Sequence, residues 1–325
     1  MQGVIGHDWA VQRLQQAIER GQLAQSHLFV GPPSVGKAAL ALATAQKVLS
    51  QGARDPQRAM NLVAQRKHPD LTWIASDGSA IKVDVVRELL HTLSLAPVES
   101  KHRVAVVDDA HTMSDSGKNA ILKTLEEPNQ AVILILIAPS VDMVLPTISS
   151  RCQVLNLRTV PVQAVTQALL ARKIAPDKAE FVARLSRGRV GWALRAVEDD
   201  DVLETRERQL KDLQTIVSAD RTQRFAYAEK LAKEEPAIVQ NTLLEWLLLW
   251  RDVVRRFENR TNAGKVRNVD FLTFIDALAD ALPLVAAHES MQAIQQTVRY
   301  LSQSVNARLA LDVLLLKIPQ ITSNV

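Results

Sequence analysis

Three groups of residues in this chain have types and spacing that could do chemistry. The first is Gly31-Pro32-Pro33-Ser34-Val35-Gly36-Lys37-Ala38. It fits the frame G-x-x-x-x-G-K, in which backbone N–H groups wrap a phosphate at a helix N-terminus and the lysine reaches the outer phosphates. The next position of that frame normally carries a hydroxyl that holds Mg²⁺. Here it is Ala38, whose methyl group cannot ligate a metal. The second group is Asp108-Asp109-Ala110-His111, which follows the apolar run 104–107. An aspartate at the carboxyl end of a strand lies where an α/β sheet binds ligands and can orient Mg²⁺ through water. Asp109, one methylene shorter than glutamate, sits where a carboxylate would polarise the attacking water. Both acids could instead cap the helix that follows. The third is Ser150-Arg151-Cys152. A guanidinium is planar and always charged, and can stabilise charge developing on a transferring phosphoryl group.

The elements that must position these residues alternate. Apolar runs at 28–30, 71–74, 104–107, 131–138 and 154–157 read as strands. The run 131–138 is apolar without alternation, as expected of a strand covered on both faces. Helical patterns lie at 10–20, 38–51, 83–95 and 116–125. Strands alternating with helices predict a parallel, doubly wound α/β sheet. After about residue 158 no strand pattern is found. Short helices are expected at 164–172, 178–185 and 191–197, and the acidic run 198–201 marks a boundary or a helix start. The pattern is helical from there to the end, including Trp246 and Trp250 at i,i+4 and a long apolar-periodic stretch over 291–318. The polar segment 260–265 predicts a mobile loop. The expected division is an α/β domain over 1–158, a small helical lid over 159–200 and an all-helical domain over 201–325.

Composition sets the outer limits. A 325-residue chain with 47% hydrophobic residues can build two or three cored domains. A net charge of +4 gives no global polycationic character. The single cysteine excludes an internal disulfide framework and any multi-cysteine zinc site, and fits a reducing, cytosolic location. No signal pattern is read at residues 1–8, and the longest apolar runs have strand length, so no membrane span is expected.

Several further segments carry a family resemblance. They are Ile5-Gly6-His7, the run Ser26-His27-Leu28-Phe29-Val30-Gly31-Pro32-Pro33, and His68-Pro69-Asp70-Leu71. Others are 119–128, which ends in Leu125-Glu126-Glu127-Pro128, and 145–152, which ends in Ser150-Arg151-Cys152. With the phosphate loop they make residues 1–200 resemble the AAA+ subunits of bacterial DNA clamp loaders. The resemblance continues more diffusely through Trp250-Arg251-Asp252 and 304–311. It implies an AAA+ domain with a parallel sheet, a helical lid and an all-α collar. It also implies a ring of five subunits that opens a sliding clamp and places it on primer–template DNA. Arg151 matches the arginine that such subunits insert into a neighbour's ATP site, a group that contributes on the order of 10³–10⁵ in rate in related NTPases.

The departures from the motor pattern point one way. Ala38 replaces the metal-binding hydroxyl residue and Asp109 the glutamate. The polar sensor at the end of the fourth strand falls at Ala138-Pro139. In the lid, Gly191 stands where the motor carries its sensing arginine, with Arg189 and Arg195 out of register. The expected role is therefore a non-motor, stator-like subunit that donates Arg151. Its degenerate loop, Gly31 to Ala38 with Asp108 and Asp109, could hold ATP or ADP without turnover, or an anion only. Its expected partners are motor and delta-type subunits, the sliding clamp and primer–template DNA. An active AAA+ motor and another AAA+ DNA-binding loader are the alternatives. Related subunits often carry four cysteines after the helix that follows the loop; this chain has none there, so no structural zinc is expected. Lys82, at the start of the helix expected over 83–95, is the candidate DNA contact implied by the resemblance, with a solvated strand-end charge as the equal alternative. Arg54, Arg58, Arg66 and Lys67, or Arg251, Arg255 and Arg256, could form further basic faces. The Trp246/Trp250 pair is expected in the core rather than as a base-stacking platform.

Overall fold

The computed structural model describes residues 3–76, 78–127, 129–258, 266–302 and 305–321. Pro128, the segment 260–265 and Ser304 lie outside them. The described chain divides into two compact units, Met1–Leu194 and Arg195–Val325.

The first unit runs α1 (Asp8–Glu19), β1 (Ser26–Val30), α2 (Lys37–Ser50), α3 (Pro56–Ala64), β2 (Leu71–Ile74), α4 (Val83–Ser94) and β3 (Arg103–Val107). It continues through α5 (Asp115–Glu126), β4 (Val132–Ala138), α6 (Pro146–Ser149), β5 (Gln153–Asn156), α7 (Val162–Leu170), α8 (Pro176–Ser186) and α9 (Val190–Glu198), which crosses the boundary between the units. The five strands form one sheet in the order β2-β3-β4-β1-β5, and every pairing is parallel. All carboxyl ends therefore share one edge. Val30 pairs with both Ala138 and Asn156, so the segments leaving β1, β4 and β5 start side by side.

The unbroken apolar run of β4 has the physical reason expected of it. Ile133, Ile135 and Ile137 enter one core with Leu14, Leu40 and Leu49, from α1 and α2. Val132, Leu134 and Leu136 enter a second core with Val86, Leu89 and Ile121, from α4 and α5. Alternate side chains point to opposite faces, and each face is covered by helices, so no position tolerates a polar residue. β1 differs, with Ser26 and His27 both buried. His27 is fully buried in mid-strand, and burial pushes its imidazole down to about 4. It is a neutral base at ordinary pH.

Helix α3 fills the cysteine-free stretch after α2. Its start is local chemistry: the Asp55 carboxylate accepts from the Arg58 N–H at 2.9 Å and Pro56 occupies the first turn. The expected lid, 159–200, supplies α7, α8 and the start of α9 to this unit.

The second unit is α10 (Asp201–Ser218), α11 (Arg221–Leu231), α12 (Pro236–Glu258), α13 (Leu272–Ala281), α14 (Leu284–Ser302) and α15 (Ala307–Lys317). Its core centres on Trp246 and Trp250, both fully buried. Trp246 donates its indole N–H to the Gln209 carbonyl at 2.8 Å and stacks on Tyr227. Neither ring is a base-stacking surface. The apolar stretch 291–318 divides into α14 and α15, and the Asn306 side chain starts α15 by accepting from the Leu309 N–H at 3.1 Å.

Buried charges fix the connections. The Asp252 carboxylate accepts from the Arg267 and Asn268 N–H groups at 3.0 and 2.9 Å. Arg206 pairs with Asp270 and Asn268 at 2.5 and 2.6 Å. Arg224 donates to the Leu315 and Pro319 carbonyls at 2.7 and 3.1 Å, capping α15 with a cation where the helix dipole favours one. No described helix is long and apolar enough to cross a membrane.

Candidate phosphate site and the Arg151 corner

The glycine loop leaves β1 and enters α2, as its sequence requires. Gly31 has φ +149°, and a Cβ there would lie 2.2 Å from the Leu157 carbonyl oxygen, so only glycine fits. The Gly31 N–H donates to the Pro139 carbonyl at 3.2 Å. The Lys37 ammonium donates to the Gly31 and Pro32 carbonyls at 2.5 and 2.9 Å, bridging the end of the loop back to its start. Burial lowers the Lys37 pKa, opposed by the charges of Asp108 and Asp109. Pro32 and Pro33 are exposed, and the Val35 side chain is fully buried.

Two other segments, the amino-terminal stretch and the lid, contact the loop. The His7 ring nitrogen Nε2 lies 2.9 Å from the Val35 carbonyl. Gly6 packs so closely on Val160 that a Cβ would fall 2.3 Å from its Cγ1. From the lid, the Gly191 N–H donates to the Ser34 carbonyl at 2.8 Å, and a Cβ on Gly191 would lie 3.1 Å from that oxygen. The position expected for a sensing arginine is thus a backbone-to-backbone contact with the loop.

The remaining expected site residues gather here. Asp108 follows β3, and its carboxylate is pushed up by burial and then by neighbouring Asp109, while Lys37 pulls it down. Asp109 has φ +55°, a left-handed conformation that aspartate tolerates, and its side chain makes no helix cap. The capping alternative therefore fails for Asp109. The Asp108 carboxylate accepts from its neighbour's N–H at 3.1 Å. The Ala38 methyl packs against the sheet's core, and Ala138 is fully buried. What Pro139 offers the loop is its backbone carbonyl.

Arg151 lies elsewhere in the unit and is a third exposed. Its Nη1 donates to the Thr147 carbonyl at 3.0 Å and its Nη2 pairs with Glu126 at 2.8 Å. Cys152 packs against the core behind it, and burial pushes its thiol up to about 11. It is a packing residue, not a nucleophile.

Lys82 is exposed and precedes the first turn of α4, where Asp84 adds a negative charge and pairs with Arg87 at 3.5 Å. In the first supposed basic face, two of the four residues have partners: Arg58 pairs with Glu99 at 3.0 Å and Arg66 stacks 4.1 Å from the Trp73 ring centroid. In the second, Arg255 pairs with Asp252 at 3.4 Å and Arg256 with Asp276 at 2.5 Å.

Sequence reasoning missed what His68-Pro69-Asp70 does. The buried Asp70 carboxylate accepts from the Val98, Glu99 and Ser100 N–H groups at 2.6, 2.8 and 2.9 Å. Arg103 donates to the Leu95 and Ala96 carbonyls at the end of α4. Together they clamp the loop that carries the chain from α4 to β3.

Chemistry and topology thus define a class. A parallel five-stranded sheet with a glycine loop between β1 and α2, followed by a small helical lid and an all-helical unit, is the AAA+ P-loop architecture. Two family models match. One, described as DNA polymerase III, delta subunit, covers residues 6–161, and one for the C-terminal part of the delta subunit covers 200–320. The chain belongs to this DNA polymerase III delta and delta-prime family of clamp-loader-related subunits.

It is similar to DNA polymerase III subunit delta' of Bacillus subtilis, 30% identical over 61% of each chain. It is also similar to the delta' subunit of Pseudomonas aeruginosa, 28% identical over 84% of each. The match to the Bacillus relative thus spans less than two thirds of that protein's length. A gamma subunit-related protein of Thermotoga maritima, known as a crystal structure, aligns over 93% of this chain and 97% of its own, with TM-score 0.46 and 18% identity.

Proposed function

We propose that this chain is a non-motor, stator-like subunit of a replicative clamp loader, which donates Arg151 to the ATP site of a neighbouring subunit. Its partners in this reading are motor and delta-type subunits, the sliding clamp and primer–template DNA, with Lys82 as a candidate phosphate contact. The observation that carries the reading is the lid contact. At the position where a motor needs a charged sensing group, the Gly191 N–H is bonded to the loop itself.

The residues fit a phosphate chain better than they fit its hydrolysis. Bound ATP would supply the transferable phosphoryl group and the charge that Lys37 and the loop's N–H groups attract. The reaction further needs a metal-holding hydroxyl, a water-polarising carboxylate and a sensor. Ala38, Asp109 and Ala138 supply a methyl group packed on the core, a shortened acid and a buried methyl group. Losing one such group costs on the order of 10²–10³ in rate at other sites, and joint losses are not additive. The reading that follows is ATP or ADP held without turnover.

The test is ATP hydrolysis by the isolated chain, wild type and Ala38→Thr. Both are expected at background, with less than about a tenfold gain from restoring the hydroxyl, because the other deficits remain. Turnover by the wild-type chain near 1 s⁻¹, on the order of a working enzyme's, would sink the proposal and favour an active motor.

A further inference from the structure

The guanidinium of Arg151 is held from two sides by groups of its own chain. Glu126, the last residue of α5, pairs with Nη2 at 2.8 Å, and the Thr147 carbonyl accepts from Nη1 at 3.0 Å. Both supports stand on fixed backbone. Ile121 and Leu125 bury α5 in the core, and Ile148, fully buried, accepts from the Arg151 N–H at 3.1 Å.

The Glu126 carboxylate is half exposed, so the pair contributes little to stability. A carboxylate in the last turn of a helix also opposes the helix dipole. Stability therefore does not explain an acid here, but orientation does. Arginine has five N–H donors, and these two contacts use two. The three that remain suffice for a bidentate grip on a phosphoryl group, without release of either support. A long, rotamer-rich side chain would otherwise sample many directions at the moment a neighbour's nucleotide arrives.

We propose that Glu126 is a positioning residue for Arg151: with the Thr147 carbonyl it fixes the guanidinium in one orientation and leaves its outer donors for a phosphoryl group on an adjoining subunit. This rests on the in-trans role of Arg151 proposed above.

The test uses the full chain assembled with its partner subunits and measures ATPase stimulated by clamp and primed DNA. Glu126→Gln, Arg151→Ala and the double variant are compared at saturating ATP. Glu126→Gln keeps the size of the side chain and removes the charge. The single change is expected to lower kcat at least twofold, but not below Arg151→Ala, with KM for ATP within about twofold of wild type. The double variant should match Arg151→Ala, because Glu126 acts only through that arginine. A wild-type rate for Glu126→Gln beside an impaired Arg151→Ala would overturn this inference and leave the in-trans reading standing. A further drop in the double variant would overturn it too, since Glu126 would then act elsewhere. If Arg151→Ala itself were silent, the underlying reading would fail. Thermal unfolding of Glu126→Gln should match wild type, and Glu126→Asp, which keeps the charge on a shorter stem, should recover part of the loss.

Discussion

The phosphate loop and the Arg151 corner lie in the same unit and are built in opposite ways. Around the loop, polar groups are turned inward. Lys37 bonds back to Gly31 and Pro32, the Gly31 N–H goes to Pro139, the Val35 carbonyl faces His7, and the Ser34 carbonyl receives the lid through Gly191. At the corner, a guanidinium a third exposed is braced by Glu126 and Thr147 and keeps donors facing outward. A motif with the frame of a catalytic cradle also ties segments of the chain together here. The loop draws the amino-terminal segment, the sheet and the lid together, and Arg151 precedes β5, at the opposite edge of the sheet.

This comparison can be broken at several points. The largest effect is expected from Gly31→Ala. The added Cβ would meet the Leu157 carbonyl oxygen at 2.2 Å on a backbone with φ +149°. Overpacking and strain together should cost about 3 kcal/mol or more. Urea unfolding followed by a probe in the first unit would show it; a midpoint unchanged from wild type would mean the loop does not tie these segments together.

A smaller, graded effect is expected from pH through His27, on the strand that feeds the loop. Its folded pKa is pushed down to about 4 from the ordinary 6.5. The unfolded chain therefore binds the proton first. The stability this residue permits is fully present above pH 6.5 and falls as the pH drops towards 4, by up to about 3 kcal/mol. His27→Leu, of similar bulk and without a charge to acquire, should flatten that slope. If the two proteins lose stability equally over the interval, the titrating group lies elsewhere.

Much of this was legible in the chain. The unbroken run of β4 has to be covered on both faces, and the structure shows why: successive residues enter two separate cores. The glycine loop placed itself, because φ angles at Gly31 and Gly36 and the close approach at Gly31 demand glycine. Helix α3 was not among the expected helices, although Asp55-Pro56 is a helix-start signature.

What was not legible depends on partners far apart in sequence. Asp70 grips N–H groups 28 to 30 residues away, and its neighbour Pro69 signals only a turn. Glu126 and Arg151 stand in two separate motifs, and nothing in their spacing says that they meet. Gly191 shows only the absence of an arginine; that its N–H would bond to Ser34 follows from the lid's docking on the loop.

The most direct measurement compares Arg151→Ala with Lys37→Ala in the same assembled complex, by its clamp- and DNA-stimulated ATPase. If the chain exports its chemistry, Arg151→Ala should slow the neighbour's site by on the order of 10³-fold. The complex's rate should fall accordingly, while Lys37→Ala leaves it within about twofold, since an idle site contributes no turnover. A large loss from Lys37→Ala beside a silent Arg151→Ala would contradict the account and return the loop to the role of a working motor.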